Sequence, residues 1–253
     1  MLPTARKAKI LELLNRRKSI EVATLSKILH ISEVTVRRDL EQLNDRGLLK
    51  RTHGGATSLE STDFELSYQV QLERHKEEKE RIAQAASRYI ADGDTIILDA
   101  STTVLQIIKN LQGKRELTVV TNAIDNILKL AGNGDFTLVS TGGMLRKKSM
   151  ALVGPIAGKT LGDFCAHKLF MGISALTLEP GITTVSPLEA EVKRAMVKSA
   201  REVIGVTDSS KFGEINSSLV GPVTMLHRLI TDDKIPDEDL TGLRERGVEV
   251  IVV

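Results

Sequence analysis

Two adjacent arginines, Arg37 and Arg38, follow a pair of hydroxyl residues, Ser32 and Thr35, in a short segment with helical spacing. Val36, Leu40 and Leu43 recur at i, i+4 and i+7 and form an apolar stripe. At about 100° per residue, Val34, Arg38, Glu41 and Asp45 point away from that stripe, with Thr35 and Arg37 on its flanks. Arginine can donate in pairs to guanine O6 and N7 or clamp a phosphate, so such a helix suits the major groove of DNA. Solvated surface helices carry arginine pairs too, and the flanking elements must decide. A second polar set stands further along, at the ends of short apolar runs: Asp99, Ser101, Thr102 and Thr103, then Thr121 and Asn122, Gly142 and Gly143, and Asp208 and Lys211. Phosphate oxygens take N–H, hydroxyl and lysine donors, while sugar hydroxyls find acceptors in Asp and Asn.

The first set needs three helices and a hairpin. Ile10, Leu11 and Leu14 form one apolar face over residues 4–17, and Val22, Leu25, Ile28 and Leu29 form another over 21–29. His30-Ile31 is a tight connection into Ser32, a good N-cap. That order is a helix-turn-helix whose last helix enters the groove. Gly47 reads as the helix stop. Residues 48–53 read as a strand, and Gly54-Gly55 can supply the positive φ of a hairpin turn. The hairpin is a wing, and it sets Lys50, Arg51 and His53 against phosphate or the minor groove.

The second set needs a sheet. Residues 58–75 are polar, lack a period and read as a linker. A helix is expected over 76–91, with Ile82, Ala85, Ala86, Tyr89 and Ile90 buried and the charge run at 76–81 on a solvated face. Strands are expected at 95–99, 117–122, 136–141, 168–174, 203–208, 228–232 and 248–253. Helices fall at about 102–111, 123–131, 187–200 and 237–246. Val-, Ile- and Leu-rich strands alternating with helices predict a buried parallel sheet, an α/β architecture. In such sheets ligands bind beyond the carboxyl ends of the strands. Ser101, Thr102 and Thr103 would form an anion cradle at a helix start. Gly142 and Gly143 would let backbone approach a ligand. Gly172 ends the fourth strand, and Asp208 with Lys211 pairs an acceptor with a cation. Each piece has a plain structural reading as a cap, a turn or a surface ion pair. Their recurrence at successive strand ends is what points to a pocket.

These residues carry a resemblance. Arg6, Ile10 and Leu14, Ser32-x-x-Thr-Val-Arg-Arg-Asp-Leu40, and Gly-Leu-Leu-x-Arg-x-His-Gly-Gly-Ala at 47–56 resemble the N-terminal domain of the DeoR family of bacterial transcriptional regulators. Gly-Asp-x-Ile-x-Leu-Asp-x-Ser-Thr-Thr at 93–103, Leu-Thr-Val-Val-Thr-Asn at 117–122, Gly142-Gly143, Val-Gly-Pro at 153–155, Glu-Val-Lys-Arg-Ala-Met at 191–196 and Asp-Ser-Ser-Lys-Phe-Gly at 208–213 look like its effector domain. The resemblance implies a winged helix-turn-helix (1–57) that binds double-stranded operator DNA and usually represses. After the linker it implies a mainly parallel α/β effector domain (76–253) similar to sugar-phosphate isomerases. Lys193 then joins the effector-binding candidates, although it also reads as a solvated helix residue. One position departs: where the family usually has glycine, this chain has Ala100, and its Cβ is expected to restrict the loop.

Composition narrows the remaining classes. The 253 residues suffice for two domains, and the overall charge of +2 divides unevenly. Residues 1–57 hold 12 Lys and Arg against 6 Asp and Glu, a net of +6, while the rest hold 23 against 27, a net of −4. A basic head on an acidic body fits a polyanion partner at one end. The single cysteine, Cys165, excludes an internal disulfide and a cysteine-rich zinc site, and it is expected to be buried. No metal or cofactor is called for. No signal peptide and no apolar run of membrane-spanning length is visible, so the cytoplasm is the expected compartment. Three functions compete: a regulator responsive to a phosphorylated sugar, a phosphosugar isomerase fused to a DNA-binding head, and a regulator whose body only oligomerises. The second would draw acid–base groups from Asp99, Glu189, Glu191, Lys193, Asp208 and Lys211. A dimer or tetramer is expected, because heads of this kind read paired half-sites.

Overall fold

The computed structural model describes residues 3–17, 19–45, 48–57, 68–132 and 136–253. They divide into two compact units, Met1–Gln71 and Leu72–Val253. The first contains α1 (Pro3–Arg17), β1 (Ser19–Glu21), α2 (Val22–Leu29), α3 (Glu33–Asp45), β2 (Lys50–Arg51) and β3 (Gly55–Thr57). Its core draws Ile10 and Leu14 from α1, Val22, Leu25 and Leu29 from α2, and Val36, Leu40 and Leu43 from α3. Ile28, expected on the apolar face of α2, is exposed. His30 takes a left-handed conformation at φ 52°, and Ser26 Oγ donates to Ile31 O at 2.6 Å, which closes the turn into α3. Gly47 and residues 58–67 of the expected linker lie outside the described residues. Residues 68–73, also read as linker, form α4 (Tyr68–Glu73).

The wing differs from expectation in one instructive way. It is a three-stranded sheet in the order β1-β3-β2, and β1 was not expected because three residues are too few to show a period. Neither Gly54 nor Gly55 has positive φ. Glycine is needed at 55 for another reason. A Cβ there would stand 2.2 Å from Ile20 O, so the missing side chain lets β3 lie against β1.

The second unit runs α5 (Lys76–Ser87), β4 (Thr95–Leu98), α6 (Val104–Ile107) with a 3₁₀ turn, β5 (Thr118–Thr121), α7 (Ile124–Ala131) and β6 (Thr137–Ser140). A hairpin of β7 (Met144–Arg146) and β8 (Ala151–Val153) follows, then α8 (Pro155–Gly162) and β9 (Ala166–Gly172). Next come β10 (Ala175–Leu176), β11 (Ile182–Thr184), α9 (Pro187–Lys198), β12 (Ala200–Val206), β13 (Ser218–Gly221), β14 (Arg228–Thr231), α10 (Asp237–Glu245) and β15 (Glu249–Val252). All seven expected strands join one parallel sheet in the order β15-β14-β12-β9-β4-β5-β6. One face packs against α5, α6 and α7 through Ile82, Val104 and Leu130. The other packs against α8, α9 and α10 through Leu161, Val192 and Leu243. Burial on both faces is why the strands read as continuous apolar runs.

The β7–β8 hairpin, the small antiparallel sheet β10-β11-β13 and α8 were not expected. The strands are two to four residues long. For α8 a signal existed: Gly154, at φ 92°, precedes Pro155 at the first helical position. Cys165, expected to be buried, is exposed, because the apolar run containing it begins in the loop before β9.

Candidate functional site

In the first unit, Ser32 opens α3: Thr35 N donates to Ser32 Oγ at 3.3 Å, and the two hydroxyls lie 2.9 Å apart. The stripe of Val36, Leu40 and Leu43 faces inward, so Arg37 and Arg38 face out. Arg37 Nη2 donates to Glu33 Oε2 at 3.3 Å, a half-exposed pair one turn apart that holds the guanidinium only weakly. Val34, 76 % exposed, shares this surface and is suited to a thymine methyl. On the wing, Lys50 and His53 are exposed and Arg51 partly so. Arg51 N donates to Asn44 Oδ1 at 3.2 Å, which ties the wing to the end of α3.

What holds α3 in position is a pair whose partnership spacing alone did not reveal. Arg6 Nε and Nη2 donate to the two oxygens of buried Asp39 at 2.5 and 3.1 Å. This fork locks α1 to α3 on the side opposite the exposed arginines. The segment thus separates inward Asp39 from outward Arg38, adjacent in sequence and opposite in task.

In the second unit, the strand order reverses direction at β4, whose neighbours are β5 and β9. In open α/β sheets such a switch point, here at the carboxyl ends of β4 and β9, is where ligands bind. Asp99 follows β4 and accepts from Gly172 N, at the end of β9, at 3.0 Å. Lys193, from α9, donates to Asp99 Oδ2 and, at 2.7 Å, to Gly172 O. Its side chain is only 8 % exposed, so the solvated reading of Lys193 does not hold. Gly172 has a steric role as well, since a Cβ there would stand 2.1 Å from Ser101 Cβ.

The Ser101–Thr103 segment is a turn in which Thr103 N donates to Ser101 Oγ at 3.2 Å. Thr102 and Thr103 are buried and Ser101 is partly exposed. The α-helix that follows is four residues long, so the cradle offers turn N–H groups and little helix dipole. Ala100 lies outside the left-handed region and donates N–H to Asn122 Oδ1 at 2.9 Å; its Cβ is accommodated without strain. Asn122 Nδ2 donates to Leu152 O at 3.3 Å, and Thr121 Oγ1 donates to Leu98 O at 2.6 Å. Both residues therefore brace the loop after β4. Gly142 and Gly143 have φ of 63° and 112°, and a Cβ at Gly143 would meet Val153 O at 2.6 Å. The close approach they allow is to the chain itself, where it folds into the β7–β8 hairpin.

Asp208 is buried at the end of β12 and accepts from Ser210 N at 3.2 Å and from Ser210 Oγ. Lys211 lies at the end of that turn, and burial holds its ammonium below the ordinary lysine range despite the nearby Asp208 carboxylate. Sequence reasoning missed Lys79. It stands in the charge run assigned to a solvated face, yet it is 4 % exposed. Burial, opposed in part by Asp208 and reinforced by Lys211 and Arg74, draws its pKa down to about 8. Glu189, named above among the acid–base candidates, is engaged by other side chains: it accepts from Arg146 Nη1 at 3.3 Å and from Thr184 Oγ1 at 3.2 Å. The capping pattern Ser186-Pro-Leu-Glu189 was the available signal, and Ser186 does cap α9.

Comparison with known proteins matches both units. Residues 6–62 match the family described as DeoR-like helix-turn-helix domain, and residues 74–233 match the DeoR C terminal sensor domain. The HTH-type transcriptional regulator YulB of Bacillus subtilis is 35% identical over 253 residues, covering 100% of this chain and 98% of that protein. The transcriptional repressor AccR of Agrobacterium fabrum is 34% identical over 228 residues, covering 90% of this chain and 88% of that protein. Among solved structures, a ribose 5-phosphate isomerase from Plasmodium falciparum is 17% identical, with a TM-score of 0.39 over 53% of this chain and 52% of that one.

Proposed function

Since this chain belongs to the DeoR family of transcriptional regulators, we propose that it represses a carbohydrate-metabolism operon and that a phosphorylated sugar modulates its grip on the operator. The observation that carries the reading is the polar cluster at the sheet's switch point, built from Asp99, Ser101, Gly172 and Lys193, in a chain that also bears a basic winged head. The repressor role is supported by a relative, AccR, named a transcriptional repressor. Duplex DNA meets Arg37, Arg38 and the first turn of α3 in the major groove, with Lys50, Arg51 and His53 on the backbone. The sugar phosphate sits with its phosphoryl group on the Ser101–Thr103 turn and Lys211 as countercharge. Asp208 is the acceptor that sugar hydroxyls reach, while Asp99 is taken up by Lys193 and Gly172 N and orders the site. Thr121, Asn122, Gly142 and Gly143 shape the loops around it.

The reading of the body as an isomerase is less well supported. Asp99 and Lys193 hold each other, and Glu189 is engaged by Arg146 and Thr184, so these groups serve as braces. The regulator acts in the cytoplasm as a dimer or tetramer, because paired half-sites call for paired heads. No helix among the described residues is long and apolar enough to cross a membrane.

The test is operator affinity measured across a titration of phosphorylated sugars, for the natural chain and for Lys211→Ala. The variant should need roughly tenfold more of the active sugar phosphate to change DNA affinity, and should bind DNA normally without it. An equal response in both proteins removes Lys211 from the pocket, and turnover of the sugar phosphate would favour the isomerase.

A further inference from the structure

The start of α3 presents Ser32, Glu33, Val34 and Thr35, and most of these side chains are already engaged within the protein. Ser32 Oγ lies 2.9 Å from Thr35 Oγ1 and accepts from Thr35 N at 3.3 Å, so both hydroxyls serve the cap. Glu33 Oε2 accepts from Arg37 Nη2 at 3.3 Å, and a carboxylate is in any case repelled by the phosphates of a duplex. Val34 is left. At 76 % exposure it is the most exposed large apolar side chain among the described residues. A single exposed apolar residue is ordinary on a protein surface, and its neighbours decide its meaning. Valine is a poor choice for the solvent side of a helix, because its branched side chain loses rotamer freedom there and here buries little in return. Arg38 stands one turn further on the same side and is exposed too. Val34 thus sits in a basic face, on the N-terminal turn that a recognition helix presents to base edges.

In the major groove thymine alone among the four bases presents a methyl group. We propose that Val34 is a specificity-determining residue that packs on a thymine methyl, while Arg38 donates to a guanine further along the same groove. The inference rests on the operator-binding reading above and deepens it. Charge makes duplex DNA the occupant: Arg37 and Arg38 stand beside the valine, and residues 1–57 carry a net of +6. Four residues at a rise of about 1.5 Å separate Val34 from Arg38 by about 6 Å along the helix. Base pairs stack about 3.4 Å apart, so the thymine and the guanine lie about two base pairs from each other in each half-site. Val34 has neither charge nor hydrogen-bonding group in its side chain. Its contribution is therefore to discrimination, and the arginines supply the bulk of the affinity.

The experiment selects a duplex from a random-sequence library with the full-length natural chain, then replaces each thymine of the selected half-site in turn by deoxyuridine. That exchange removes the C5 methyl and keeps the base pairing and the O4 acceptor. Affinity is measured by gel-shift titration for the natural chain and for Val34→Ala and Val34→Ser, which withdraw both methyl groups of the valine. Both variants should unfold at the natural midpoint, because Val34 lies outside the core. With the natural chain one thymine should be methyl-sensitive, its deoxyuridine costing about fourfold in affinity per half-site. With either Val34 variant that penalty should fall below about twofold. Arg38→Ala should relax the preference for guanine instead and leave the methyl penalty in place. If the natural chain binds the selected duplex but no thymine is methyl-sensitive, or if the penalty persists in both Val34 variants, the role of Val34 is overturned while the operator reading stands. If the natural chain enriches no sequence at all, the operator reading fails and this inference with it.

Discussion

The cations of the two units are kept in opposite ways. In the head, Arg37 and Arg38 lie outside the core, and Arg37 meets Glu33 across a half-exposed gap. In the body, Lys193 is locked between Asp99 and Gly172 O, and Lys79 is buried beside Asp208 and Lys211. A polyanion as large as DNA arrives at a surface, and its charges are best met by side chains that stay hydrated until contact. A small anion enters a crevice, where the protein has already met the desolvation cost of its cations. The difference teaches that equal formal charges carry unequal structural consequences. Removing a head arginine should cost binding alone, whereas removing a body lysine should alter stability as well.

The sharpest break of this comparison is Lys193→Ala. It strands the Asp99 carboxylate in a buried site and should lower the stability of the second unit by about 3–5 kcal/mol in urea unfolding. Changing Asp99→Asn in the same chain should recover a large part of that loss. Next comes Arg6→Ala in the head. This arginine is the exception to the head's pattern, because it satisfies buried Asp39, and its loss should destabilise the first unit by about 2–3 kcal/mol. A drop in operator affinity without that loss of stability would show that Arg6 meets DNA directly.

Arg38→Ala and Arg37→Ala should each weaken operator binding by about 1–3 kcal/mol in gel-shift titrations, with unfolding midpoints unchanged. A lowered midpoint in either would erase the distinction between the units. The smallest effect is one of pH. Folded Lys79 releases its proton near pH 8, whereas the unfolded chain keeps it to the ordinary lysine value of 10.5. Between these values the unfolded state binds more protons, so the Lys79 contribution makes stability rise with pH, by at most about 1.4 kcal/mol per unit. Lys211, also lowered, adds in the same direction. Lys79→Met should flatten part of this rise and leave the profile below pH 7 parallel to that of the natural chain.

Patterns that repeat were legible from the chain alone. The apolar stripes of α1, α2 and α3, and the seven apolar runs that became one parallel sheet, each show a period or a run long enough to read. The placement of Asp99, Gly172 and Asp208 at strand ends was legible too, because it follows from where each apolar run stops. Three-dimensional approach was not. Which cation meets Asp99, whether Gly55 serves a turn or a neighbouring strand, and which member of the 76–81 run turns inward all depend on segments far apart in sequence. Gly172 shows the boundary well. Its place at a strand end was readable, but that Ser101 lies against its missing side chain was decided only when β4 and β9 became neighbours. Local sequence sets periodicity, capping and residue chemistry. Contacts between distant segments, and the desolvation they impose on Lys79 and Lys193, come into being only with the tertiary fold.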